Sequence, residues 1–324
     1  MGGLRYRESI DAFFSGEATG TPPVSCWRHH PVADQAVATM AEATVGFQRR
    51  FDCDAVKLMP PSSYQLRDYG MSDRWDGNPI GRRTLGPPIA VDVSSWQRIA
   101  AVRAFPHRDQ QIEAAALIRR ALPSHVPVWA TVFSPGFQAR NLAGAAFTEH
   151  RSRHRAVVDA ALEALTVATV DLIDRYFDAG VDGVFYVVQH ATAEESTVGE
   201  YRSVDLPFDV RCIERIRAGG PAFLHLHGSR VHAELIGLWN PDAVHYEAGT
   251  ADFGSGGCAV PQATGPGSLV SPLGADPARV GPRIDGLRAA MAGRALMIAP
   301  GCALPLATSD RMIDTFLAAA RHAS

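Results

Sequence analysis

Phe223-Leu-His-Leu-His-Gly228 is an apolar run broken only by two imidazoles set two residues apart. On a strand that spacing puts both imidazoles on one face. Two further apolar runs also end in groups that bind metals. Ala243-Val-His-Tyr-Glu247 closes on a carboxylate, and Ala295-Leu-Met-Ile-Ala-Pro-Gly301 is followed by Cys302. Three strand ends therefore deliver His225, His227, Glu247 and Cys302, and imidazole, carboxylate and thiolate are zinc-type ligands. The pattern predicts a mononuclear metal site built where strands end.

Working outward, short apolar runs alternate with helical patterns along most of the chain. Predicted strands lie at 23–27, 55–59, 126–133, 181–188, 222–226, 243–247, 268–272 and 295–299. Between most of them apolar residues recur at three and four, as in the segment from Asp159 to Asp178. Eight strands separated by helices predict a (β/α)8 TIM barrel forming a single domain over 1–324. A doubly wound open sheet is the alternative, but no Gly-x-Gly-x-x-Gly follows a strand. Two interruptions stand out. Residues 60–95 carry Pro60-Pro61, Trp75-Asp-Gly-Asn-Pro79 and Gly86-Pro87-Pro88, and read as a hairpin-like excursion after the second predicted strand. Residues 250–267, after the sixth, are glycine-rich and read as a loop over the site.

Composition narrows the class. A length of 324 residues suffices for one large α/β core. The net charge of -3, with acids and bases interspersed, argues against a nucleic-acid partner. No apolar run reaches the roughly 18 residues that cross a bilayer, so no membrane partner is expected. The start Met1-Gly-Gly-Leu-Arg has no apolar signal core, and five scattered cysteines suit a reducing compartment. A cytoplasmic location is the expectation.

In a barrel the C-terminal strand ends form the active-site mouth. The first predicted strand brings Arg28, His29 and His30 there, the second Lys57 and then Tyr64, and the fourth Tyr186, Gln189 and His190. Arg28, His29, Lys57 and Tyr64 are expected to bind substrate. Glu247, His190 and Tyr186 are the expected catalytic groups. His245 shares a face with Glu247 and is a candidate partner for a metal ligand. Each has an ordinary alternative, because a lone histidine or cysteine in an apolar strand is usually a core residue.

With these residues quoted, the chain resembles the uroporphyrinogen decarboxylase superfamily. The resemblance rests on Asp54-Ala-Val-Lys-Leu-Met with Asp68-Tyr-Gly70, on Asp178-Ala-Gly-Val-Asp-Gly183, on Leu224-His-Leu-His-Gly228, and on Ile298-Ala-Pro-Gly-Cys-Ala-Leu-Pro305. The last two look like the branch of corrinoid-dependent methyltransferases to coenzyme M. That branch uses His-x-Cys, then Glu, then Cys as zinc ligands, and zinc-dependent methionine synthase is similar. The resemblance then implies His225, Glu247 and Cys302 as ligands, with His227 in place of the first cysteine. True uroporphyrinogen decarboxylases carry Arg-Gln-Ala-Gly-Arg where this chain has Arg28-His-His-Pro-Val32, and an aspartate where it has Pro61.

The expected activity is a zinc- or other divalent-metal-dependent methyl transfer from a corrinoid or another activated donor to a thiol acceptor, with a corrinoid protein as a candidate partner. A metal-assisted decarboxylase or lyase acting on a small carboxylated substrate is the second reading. A non-catalytic corrinoid or metal binding protein is the third. The sequence leaves the oligomeric state open, a homodimer included.

Overall fold

A computed structural model of the chain describes residues 5–251, 257–265 and 276–322. Strand β1 (Val56–Lys57) precedes a hairpin of β2 (Asp73–Arg74) and β3 (Thr84–Leu85). After it come β4 (Val128–Phe133), β5 (Gly183–Val188), β6 (Ala222–Leu226), β7 (Ala243–His245), β8 (Gln262–Thr264) and β9 (Leu296–Ile298). Among the described residues β1 and β4 to β9 form one parallel sheet in sequential order, with helices between most of its strands. Every residue of β4, β5 and β6 is buried, as expected of strands covered on both faces.

The sheet curls until its edges approach one another. Residues 23–25 lie between them, making only an isolated bridge, Val24 to Ile298. Ser25 N donates to Ile298 O at 3.1 Å and Asp54 N donates to Val24 O at 2.9 Å. Ser25 Oγ donates to Ala55 O at 2.6 Å. The fold is therefore barrel-like, with a bridge where a regular first strand was expected. The strand predicted at 268–272 lies outside the described residues. A strand that was not predicted, β8, occupies part of the segment read as a glycine-rich loop.

The barrel interior is layered, as inward-facing side chains of parallel barrels are. Its floor is aromatic: Trp129 meets Phe223 edge-on at 5.3 Å between centroids, Phe223 meets Phe185 at 5.0 Å, and Phe14 of the helix Arg5–Phe14 closes from below against Trp129 at 5.9 Å. Above this floor the inward positions turn polar, and the pocket begins.

The hairpin reaches over that pocket and is pinned by buried ion pairs. Arg83, on the loop before β3, bonds Asp34 Oδ1 at 2.7 Å and Asp73 Oδ1 at 3.3 Å, while Arg67 holds Asp73 from the other side at 2.8 Å. Gly81 sits with φ +77, and a Cβ there would lie 2.5 Å from His29 Cβ, so only glycine lets the loop settle on that ring. Leu306 N donates to Pro79 O at 2.7 Å, tying the loop to the segment after Cys302.

Candidate metal centre

Parallel register explains how the donors meet. His225 of β6 is paired with His245 of β7, and side chains in register on neighbouring parallel strands share a face. The ring nitrogens approach to 2.7 Å, Nδ1 to Nδ1. His245 Nε2 lies 2.8 Å from Pro300 O. A carbonyl only accepts, so His245 Nε2 carries a proton. Burial holds His245 neutral, with its pKa lowered to about 3, so its Nδ1 must accept. His225 Nδ1 is then the donor, and the lone pair of His225 is left on Nε2. An imidazole oriented by a bond from its other nitrogen is the usual arrangement of a metal ligand. Burial, and then the neighbouring histidines, hold His225 well below its ordinary pKa, which keeps that lone pair free.

The ligand atoms of His225, His227 and Cys302 lie within 4.8 Å of one another. Cys302 Sγ is 3.8 Å from His227 Nδ1. Burial alone would raise the Cys302 thiol, but the hydrogen bond and charge of His227 outweigh it and draw the thiol below its usual value. The hydrogen bond to Cys302 raises His227 in turn. Two imidazoles and a thiol inclined to ionise suit a borderline divalent ion such as zinc.

Glu247 is not part of that cluster. It is half-buried, its charge acts on His227, and a Cβ on Gly301 would lie 2.8 Å from its Cα, Cβ and Cγ.

The three donors open into a cavity of about 110 Å3. Its walls are Trp27, Met59, Phe133, Phe137, Phe185 and Val187, with Gln189 and Asn141 as polar points and Ile80, Arg82, Arg83 and Leu85 from the hairpin above. His29 and Lys57 also line it. His29 is lowered to about 3, chiefly by burial and next by Lys57. Lys57 is lowered to about 7 by burial, with Cys302 acting the other way. Its Nζ lies 2.8 Å from Met59 Sδ and over the rings of Phe185 (4.5 Å) and Trp27 (5.5 Å). Such ring contacts favour the cation by about 1–2 kcal/mol. Desolvation worth over three pKa units, roughly 4–5 kcal/mol, prevails.

Four expected site residues stand elsewhere. Tyr186 alternates with Phe185 and Val187 and so points outward, donating to Asp209 Oδ1 at 2.8 Å behind the sheet. Tyr64 is fully buried and donates to Thr131 O at 2.8 Å, so its hydroxyl serves packing. Arg28 leaves the pocket and lies over the Phe47 ring at 5.4 Å, where His30 also turns. His190 stands behind Phe137, their rings stacked at 6.0 Å, and burial lowers it to about 3.

Arg82 is the residue the sequence reading missed. It is exposed at the rim, lines the cavity, and its charge lowers His227. Its only distinguishing sign was a place in the excursion, in Gly81-Arg-Arg.

A curled parallel sheet with candidate metal donors at its C-terminal strand ends defines a barrel-like α/β protein of the kind that hosts enzymes. The model of the family described as uroporphyrinogen decarboxylase (URO-D) matches residues 28–323, and the chain belongs to that family. Among solved structures it is similar to a methyltransferase from Methanosarcina mazei, with TM-score 0.76, 15% identity, and 97% and 98% of the two chains covered. It is also similar to a putative vitamin-B12-independent methionine synthase from Listeria monocytogenes, with TM-score 0.56, 14% identity, and 98% and 92% covered. A B12-independent methionine synthase from Shewanella sp. W3-18-1, in complex with selenomethionine, gives TM-score 0.55 at 11% identity, with 93% and 92% covered. At these identities the likeness is one of fold. No curated protein matches the chain. Among the described residues no helix is long and apolar enough to cross a membrane.

Proposed function

We propose that the protein is a metal-dependent methyltransferase within the URO-D family, with a thiol as acceptor and a corrinoid or another activated molecule as methyl donor. The observation that carries this reading is the meeting of His225, His227 and Cys302 at the floor of a small pocket. A divalent ion held there, zinc by the character of the donors, would act as a Lewis acid that makes a coordinated thiol ionise near neutral pH.

The remaining roles belong to the chain. His245 fixes the tautomer of His225. Glu247, beside the cluster, is the fourth ligand or takes up the thiol proton. Arg82 at the rim receives an acidic group of the acceptor, and His29, held neutral, lines the approach. The aromatic walls exclude water from the thiolate. The names of the solved neighbours support methyl transfer as the class of chemistry. The lyase or decarboxylase reading keeps the support of Lys57, a buried amine on the pocket. A binding protein alone would not need so many titratable groups in one cavity.

The test is metal analysis of protein purified without chelator, followed by a methylation assay with methylcobalamin and a small thiol. About one divalent metal per chain is expected. His225→Ala and Cys302→Ala should each lose it while keeping the wild-type circular dichroism spectrum. Full metal retention in both variants would overturn the reading.

A further inference from the structure

Of the 31 lysines and arginines in this chain, Lys57 is the only lysine. Elsewhere the chain uses guanidinium as its cation. The single amine is on β1 inside the barrel, 8% exposed, and it opens onto the pocket. The two cations are not equivalent, because arginine stays charged in proteins whereas lysine can lose its proton when buried. A site needing only a permanent positive charge is served by arginine, as the rim of this pocket is by Arg82. A structural lysine at this depth would have a carboxylate beside it. Among the described residues Lys57 makes no ion pair; a thioether and two aromatic rings lie against its amine, and His29, His225, His245 and Cys302 line the same pocket within reach of its charge.

We propose that Lys57 is a carbonyl-directed nucleophile whose amine forms an imine with a small aldehyde or ketone admitted to the pocket. The Nζ lone pair attacks the carbonyl carbon, forming the C–N bond as the C=O π pair moves onto oxygen. Nζ gives up its two protons and the oxygen receives both. The C–O bond breaks, water leaves, and the C=N bond forms. No electrons are gained or lost, and no reactant beyond the carbonyl compound is needed. Desolvation in an apolar pocket is one of the ways proteins activate such an amine. Burial in the pocket disfavours the charged amine and enlarges its neutral fraction over that of an exposed lysine. An exposed lysine keeps roughly one amine in a few thousand neutral at about pH 7. The cavity of about 110 Å3 restricts the carbonyl compound to a few carbons. The inference does not depend on methyl transfer, and Lys57 shares its pocket with the candidate metal donors His225, His227 and Cys302.

The test is reductive trapping. The full-length protein is incubated at pH 7 with pyruvate, acetaldehyde or glycolaldehyde in the presence of sodium cyanoborohydride, and followed by intact mass and peptide mapping. The N-terminal amine serves as an internal control. At least one probe should place a single adduct on Lys57, about tenfold or more faster in the native protein than in urea-unfolded chain, as the larger neutral fraction requires. Lys57→Met, shown to be folded by circular dichroism, should acquire none beyond the N-terminus. Absence of a Lys57 adduct with all three probes while the N-terminus is labelled, or equal rates in native and unfolded chain, would overturn the proposal.

Discussion

His225 Nδ1 and His245 Nδ1 lie 2.7 Å apart, and the direction of the proton between them is set 2.8 Å away, by the carbonyl of Pro300. A backbone oxygen thus determines which nitrogen of His225 faces the pocket. His245→Leu should keep the fold, because the site is walled by Phe185, Phe223 and Trp27, but it should leave His225 free to rotate or change tautomer. Zinc affinity, measured by competition with a chromogenic chelator, is expected to fall by about 10- to 100-fold. Unchanged affinity would show that His245 does not orient the ligand.

Lys57 carries a pH dependence of stability with a definite sign. Its folded pKa is about 7 against an ordinary 10.5, so between those values the unfolded chain holds one more proton than the folded one. Stability contributed through this group therefore rises with pH across that window, at up to about 1.4 kcal/mol per unit. Lys57→Met should be more stable than wild type near pH 7 and should remove that rise. Urea unfolding at intervals from pH 7 to 10 measures both effects.

Asp209 behaves in the opposite sense. It accepts from Tyr186, Tyr201 and Trp239 at 2.8, 2.6 and 3.1 Å, yet burial dominates these bonds and raises it to about 7. Between 3.8 and 7 the folded state binds the extra proton, so stability from this group is lost as pH rises through that range. Asp209→Asn should flatten the fall from pH 4 to 7. An unaltered slope in denaturant titrations would mean that the carboxyl does not titrate there.

Uroporphyrinogen should not be turned over. A cavity of about 110 Å3 is smaller than the roughly 150 Å3 that accommodates benzene, and a tetrapyrrole is several times larger. Of the candidate cations, Arg28 is turned onto Phe47 and Arg83 is committed to Asp34 and Asp73. Decarboxylation of that substrate at rates usual for metabolic enzymes, followed by product chromatography, would contradict this account.

The architecture and three of the candidate donors could be read from the chain because they rest on period and order. His225 and His227 alternate along one strand, and Cys302 follows a strand closed by Pro300-Gly301. The faces of β5 could not be read. Every residue of Gly183–Val188 is buried, so no polar alternation marks which side is inward, and Tyr186 was assigned to the wrong one. Tyr64 failed for a related reason, since a buried hydroxyl bonded to a carbonyl has the same sequence signature as one facing substrate. β8 was missed because three residues, Gln262–Thr264, carry too little apolar signal. Arg82 depends on how the hairpin folds back, a long-range relation that local pattern does not contain.

The contact of Gly301 with Glu247 has a consequence for how such a site changes over time. The end of β7 and the loop bearing Cys302 are spaced by a missing methyl group, since any Cβ at 301 would fall 2.8 Å from Glu247. The spacing between Glu247 and the loop that bears Cys302 is therefore set by single carbon atoms at a position that is neither a candidate donor nor a wall of the pocket. Widening that gap would move Glu247 relative to His225, His227 and Cys302 before any of those three residues changed, so the surroundings of the proposed centre can drift while its candidate donors stay the same.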